Sequence, residues 1–133
     1  MNIYDFDKTI YNGDSTLDFY FFCLKRHARV WLYIPGQIAA VAGYGLKKYS
    51  KTQLKERFFR FLKCIPDIDQ TIALFWAKNK CKIYDWYLQQ KAADDIIISA
   101  SPRFLLEPIT KALKIGQLIA SEVDKKSGKF YSP

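Results

Sequence analysis

Asn2-Ile3-Tyr4-Asp5-Phe6-Asp7-Lys8-Thr9 opens the chain, and its reading decides the fold. Ile3, Tyr4 and Phe6 are strand formers, and the run stops at Asn12-Gly13, a strong turn signal. The segment therefore predicts one short strand whose end carries Asp5, Asp7 and Thr9. Strand residues i and i+2 point the same way, so both carboxylates are expected to face one site where the strand gives out. Two carboxylates that close are costly unless a cation or a shared proton relieves them. A divalent cation such as Mg²⁺ takes hard oxygen ligands, commonly one or two carboxylates plus substrate phosphate oxygens.

The next decisive stretch lies far downstream. Ile96-Ile97-Ile98 is a continuous β-branched run, the pattern of a strand buried on both faces, as in parallel sheets. It ends at Ser99-Ala100-Ser101-Pro102, where Ser101 reads as a helix N-cap and Pro102 as the first helical residue. A strand that delivers the Ser99 hydroxyl just before a helix N-terminus makes a ready anion site.

Everything between these two strands reads as helical. Asn12 to Thr16 is a polar turn that can cap a helix beginning near Leu17 and running to Arg29. The 17 residues 30–46 carry no charge and are interrupted by Pro35-Gly36, Gly43 and Gly45. They read either as two short buried helical pieces or as an interfacial or spanning membrane segment. Ser50-Lys51-Thr52-Gln53 matches a capping box, and Leu54, Phe58, Phe61 and Leu62 follow at helical spacing. Pro66 closes that helix. Asp67 caps the next, expected from about Ile68 to Gln90 with Ile72, Phe75, Trp76, Asn79, Ile83 and Trp86 along one side. After Ser101 a helix continues to Gly116, Gln117 to Val123 reads as a third strand, and Asp124 to Gly128 turns into a short return strand at 129–131.

Composition sets the outer bounds. Half of the 133 residues are hydrophobic and 17% are aromatic, which excludes a disordered chain. Lys and Arg exceed Asp and Glu by 21 to 13, a net charge of +8 that favours anionic partners. No nucleic-acid motif accompanies that charge. Cys23, Cys64 and Cys81 are odd in number and widely spaced, which argues against zinc and against a disulfide framework and points to a reducing, cytoplasmic compartment. Asp5 and Asp7 sit where the apolar run of a signal peptide would lie.

Asp-Phe-Asp-Lys-Thr after an apolar strand, followed downstream by Ile-Ile-Ile-Ser-Ala-Ser-Pro, resembles the first two signatures of the haloacid dehalogenase (HAD) superfamily. The helical insertion directly after the first strand resembles the cap of its phosphoserine phosphatase-like branch, subfamily IB. The resemblance implies an α/β fold, a partial Rossmann-like core of residues 1–16 and 91–133 with a helical cap and connecting helix at 17–90. It implies a Mg²⁺-dependent phosphomonoesterase acting on a phosphorylated small molecule. Asp5 resembles the nucleophile that forms an aspartyl-phosphate, and Asp7 the general acid and base. The Asp5 carboxylate and the Asp7 backbone carbonyl would hold Mg²⁺.

On the phosphate-binding side, Ser99 and the Ala100 N–H would hold a phosphate oxygen, and Thr9 would orient the Asp5 loop. Asp14 and Arg57 lie near positions where related enzymes read substrate. The family also implies a downstream lysine and an acidic pair, which the chain does not reach, so a truncated phosphatase with part of its sheet face open is expected. Two other readings remain: a non-enzymatic remnant that binds phosphate or a partner, and a phosphatase whose apolar, basic cap touches membrane and handles a lipid phosphate.

Overall fold

In a computed structural model of the protein, which describes residues 2–129, strands β1 (Ile3–Asp5), β2 (Ile96–Pro102) and β3 (Gln117–Ser121) form one parallel sheet in that order. Every named element between β1 and β2 is helical. These are α1 (Ser15–Arg26), α2 (Ile34–Gly45), α3 (Lys51–Phe58), α4 (Ile68–Asn79) and α5 (Asp85–Gln90), with 3-10 turns at Ala28–Tyr33, Phe59–Cys64 and Lys80–Lys82. Helix α6 (Arg103–Ala112) joins β2 to β3. Parallel strands need such crossovers, because a tight hairpin can only return the chain antiparallel.

Register places Ile3 opposite Ile96 and Asp5 opposite Ile98. The pairing is anchored by Asp95, fully buried just before β2. Its carboxylate accepts the Asn2 N–H at 3.3 Å, the Ala92 N–H at 2.8 Å and the Tyr87 hydroxyl at 3.4 Å. A buried carboxylate is tolerated only when its lone pairs are used in this way. One core cluster then runs from Phe6 and Tyr11 through Phe75 and Trp76 to Ile97, Leu105, Leu106 and Leu118. The Trp76 indole N–H donates to the Leu105 carbonyl at 2.7 Å and ties α4 to α6.

Four expectations need correction. Ile97 is buried, but Ile98 is 42% exposed. Alternate residues of a strand face opposite sides, and the side carrying Ile3, Ile98 and Ile119 lies open while Ile97 and Leu118 face the core. Ser101 is not the N-cap of α6: the strand runs on through Pro102, which is the cap residue without a side-chain bond. The expected 68–90 helix breaks after Asn79, because loop 10–12 takes its backbone groups. Asn12 N–H donates to Lys82 O at 2.8 Å, and Tyr84 N–H donates to Ile10 O at 2.8 Å. Past that break Tyr87 is buried and Trp86 is exposed.

The uncharged stretch 30–46 is helical but largely exposed. Helix α2 turns inward only Gln37, Ala40 and Gly43. Gln37 is satisfied there, accepting from the Tyr20 hydroxyl and donating to Phe58 O at 3.0 Å. No helix among the described residues is long and apolar enough to cross a membrane. The capping box at Ser50 and Gln53 forms with both reciprocal bonds. The turn at 124–128 forms as well, with Gly128 N–H donating to Asp124 O at 2.8 Å. Of the expected return strand, Phe130 and Tyr131 lie outside the described residues.

Candidate active site

The site forms where β1 ends at Asp5 and the chain turns away, while β2 runs on past it through Ser101 and Pro102. Beyond Asp5 the backbone coils tightly. Phe6 O accepts the N–H groups of Thr9, Ile10 and Tyr11, and Lys8 adopts a left-handed φ of 63°. This turn is clamped from behind. Tyr11, fully buried, pairs antiparallel with Ile83 and donates its hydroxyl to Asp18 Oδ2 at 2.8 Å. Lys82 Nζ lies 2.6 Å from the same oxygen and 5.1 Å above the Tyr11 ring. Burial, reinforced by Asp18, pushes the Tyr11 phenol well above its usual range, so it remains a donor.

The clamp leaves Asp7 aimed at the start of α1 and the end of β2. Asp7 Oδ1 accepts the Ser15 N–H at 2.9 Å and the Ser15 hydroxyl at 2.6 Å. Asp7 Oδ2 accepts the Ser101 hydroxyl at 2.7 Å. Ser101 Oγ also accepts from Thr16 Oγ1 at 2.7 Å and lies 3.2 Å from Ser15 Oγ. The first N–H groups of a helix have no intrahelical acceptor, so a carboxylate at Ser15 N is favoured by both hydrogen bond and helix dipole.

Each predicted residue has a definite place. Asp5 is exposed at the carboxyl end of β1, with Oδ1 accepting its neighbour Phe6 N–H at 3.0 Å. Ser99, nearly buried, follows Ile98, the residue opposite Asp5, and its hydroxyl accepts Ser101 N–H at 3.0 Å. Thr9 holds the turn through its backbone. Asp14 is the N-cap of α1, accepting Leu17 N–H at 3.1 Å.

A cavity of about 430 Å³ opens beside this network; its lining includes Asp7, Asp14, Ala100 and Ser101 together with Leu17, Gln37, Val41, Leu54, Lys55, Phe58 and Phe59. Asp7 reaches its wall and Asp5 does not. Arg57 does not line it either; its guanidinium lies 4.2 Å over the Tyr49 ring. Residues two apart on a helix sit about 200° apart around its axis, so Lys55 faces the cavity and Arg57 faces away. Burial, with Lys51 alongside, lowers the Lys55 amine from its ordinary pKa.

Sequence reasoning named Ser101 only as a cap and passed over Ser15 and Thr16. The signal available was the cluster of hydroxyls at or beyond the carboxyl end of each of the two expected strands. The later lysines lie elsewhere: Lys125 Nζ bonds Asp69 at 2.8 Å, and Lys126 lines a separate pocket beside Pro66.

The sequence profile of the haloacid dehalogenase-like hydrolases matches residues 3–133. The chain belongs to that family. No curated protein matches the sequence. Among solved structures, a protein of unknown function from Bordetella pertussis Tohama I is 14% identical at a TM-score of 0.71, with 98% of this chain and 63% of that one covered. A phospho-aspartyl intermediate analogue of phosphoserine phosphatase is 16% identical at a TM-score of 0.47, with 96% and 58% covered. The chain thus spans less than two thirds of the length of either. The first likeness bears on the fold alone, an α/β architecture with a parallel sheet flanked by helices.

Mg²⁺ is the cation that HAD phosphatases generally use. Among the described residues no cluster of three His, Cys, Asp or Glu side chains forms. The donors at the site are hard oxygens, and Asp5 is exposed. That set fits a Mg²⁺ ion that keeps most of its ligands as water and substrate oxygen.

Proposed function

We propose that this HAD-family hydrolase is a phosphomonoesterase of the subfamily IB type, with Asp5 as nucleophile and Asp7 as general acid and base. The carrying observation is the parallel β1–β2 pairing that brings Asp7 within 2.7 Å of Ser101 beside a cavity while Asp5 stays open to solvent. An Asp5 oxygen attacks phosphorus and the bond to the ester oxygen breaks, with Asp7 donating a proton to the leaving oxygen. Water then attacks the aspartyl-phosphate, gives its proton to Asp7, and phosphate leaves.

Hydroxyls suit the partners of such an acid. Ser15 and Ser101 can donate to the carboxylate, and either can rotate to accept once Asp7 is protonated, so neither state strands a polar atom. Ser99 and the Ala100 N–H would take a phosphate oxygen, with Thr9 steadying the loop and Asp14 facing the leaving group. Mg²⁺ held by the Asp5 carboxylate and the Asp7 carbonyl would offset the phosphoryl charge. The same reading treats 17–90 as an insertion into a core of 1–16 and 91–133. It also places the protein, with its three unpaired thiols, in a reducing cytoplasm.

The test is p-nitrophenyl phosphate hydrolysis with Mg²⁺ by the 133-residue chain, its Asp5→Asn and Asp7→Asn forms, and a C-terminally longer version. Turnover by the 133-residue chain is expected to be very low, because the family's lysine and acidic pair are not among its residues. Losing even one such charge-stabilising group costs about a hundredfold or more. Full activity in a longer Asp5→Asn protein removes the nucleophile assignment, and equal activity of the short and long wild-type chains removes the requirement for the further groups.

A further inference from the structure

The surface with the least reason to face water is that of α2 and the 3-10 turn before it. A helix that packs against a core ordinarily buries its large apolar residues. Here the buried strip is Gln37, Ala40 and Gly43, while Ile38 is 64% exposed, Val41 61% and Leu46 69%. Ile34, Ile38, Val41 and Ala42 recur at i, i+4, i+7 and i+8, so they form one outward stripe. The preceding turn adds Trp31, 59% exposed, and Leu32, 77% exposed. The Trp31 indole N–H is already satisfied by Leu24 O at 3.0 Å, so the ring is held in place.

Charge flanking this stripe along the chain is of one sign. No acidic residue occurs from 19 to 55, whereas Lys25, Arg26, Arg29, Lys47, Lys48, Lys51 and Lys55 all do. Three of these precede the apolar stretch and four follow it, so cations border both ends of a surface that has none in its middle. We propose that this face docks on an anionic lipid bilayer, with α2 lying in the plane of the headgroups.

Three arguments favour a bilayer over other occupants. Twelve residues of α2 span about 18 Å, well short of the ~30 Å hydrocarbon core, so the helix can lie in the interface but not cross it. Trp and Tyr at the margin of an apolar stripe suit the headgroup level, and Trp31 and Tyr44 occupy such positions. A second copy of the chain would set like charges against like charges, whereas anionic lipid neutralises them. Val41 belongs both to the stripe and to the cavity wall. Docking therefore sets the mouth of the cavity beside the lipid.

Vesicle flotation tests the proposal without reference to turnover, so it stands or falls apart from the phosphatase reading. The 133-residue protein is mixed with vesicles of phosphatidylcholine alone, or of phosphatidylcholine with about one third phosphatidylglycerol, as anionic fractions of that order attract polybasic surfaces. Expected is co-flotation with the anionic vesicles, weakening with salt, and a blue shift of tryptophan emission that Trp31→Phe removes. A Leu32→Glu/Ile38→Glu variant, shown to be folded by circular dichroism, should lose at least about tenfold in vesicle affinity, since both charges would enter the apolar boundary. The proposal is overturned by absence of flotation at low salt, by a folded double variant that floats like the wild type, or by a dimer in lipid-free solution that the double variant dissociates. That last result assigns the face to a second copy.

Discussion

Ser101 Oγ lies 2.7 Å from Asp7 Oδ2, although 94 residues separate them in the chain. This bond joins the end of β2 to the turn after β1, and it is made to a carboxylate, the stronger class of acceptor. Ser101→Ala is expected to cost about 1.5–3 kcal/mol in urea denaturation, the usual worth of a hydrogen bond to a charged group. Ser101→Thr, which keeps the hydroxyl, should recover most of that loss. Equal stability of wild type and Ser101→Ala would show that the contact contributes nothing.

The Tyr11–Asp18–Lys82 clamp separates two effects. Asp18 and Lys82 are both about a third exposed, at 27% and 32%, so their ion pair contributes little by itself. The Tyr11 hydroxyl is on a fully buried residue and needs an acceptor. Asp18→Ala is therefore expected to cost about 1–3 kcal/mol for the stranded hydroxyl. Lys82→Met should cost much less, and thermal melts of the two variants decide it.

Two glycines make a contrasting pair. Gly128 has φ +78°, and a Cβ there would meet Phe59 O at 2.3 Å. Gly128→Ala should destabilise by about 1–3 kcal/mol through strain. A Cβ on Gly36, in α2, meets nothing within 4 Å. Gly36→Ala should be neutral or stabilise by up to about 1 kcal/mol by lowering the entropy of the unfolded chain.

Burial, together with neighbouring Arg26, lowers the His27 pKa below its ordinary 6.5. The unfolded chain then binds a proton at a pH where the folded chain does not. Stability therefore rises with pH through the window between the two values and falls as pH drops below 6.5. His27→Gln should flatten that slope between about pH 5 and 7, the range in which histidine titrates. An unchanged slope in a pair of pH-resolved denaturation series would remove His27 from the account.

The three thiols should react in sequence. Cys81 is exposed, Cys64 half-buried and Cys23 buried, and burial pushes the Cys23 thiol up to about 12. Since the thiolate is the reactive form, a chromogenic disulfide reagent at pH 8 should titrate Cys81 first and Cys23 only after unfolding. Early release from Cys23 in a Cys64→Ser/Cys81→Ser protein would contradict the packing of α1.

The three strands and the ends of the first two were legible because β-branched runs and turn residues carry their own geometry. The Ile96–Ile98 run announced a strand, and the polar turn before Leu17 announced a helix start. Less legible was what faces what. A run of isoleucines cannot say that Ile97 is covered while Ile98 stays open, because that depends on whether anything packs on the second face. The break near Lys82 is a tertiary effect, set by loop 10–12 competing for backbone groups. Ser101 was hidden by its own plausibility as a cap, since a hydroxyl before a proline satisfies the local rule whether or not a carboxylate approaches from 94 residues away.

That separation also fixes an order of events. The helices between β1 and β2 close over neighbours near in sequence, but β1 has no strand to pair with until Ile96–Ile98 is present. Loop closure over so long a span is slow and follows local structure. During synthesis the segment with Asp5 and Asp7 emerges ahead of the helices that follow it and remains an unpaired edge until β2 is made. The turn that carries Asp5 and Asp7 is thus made before the strand that completes it, and takes shape only once Ile96–Ile98 arrives.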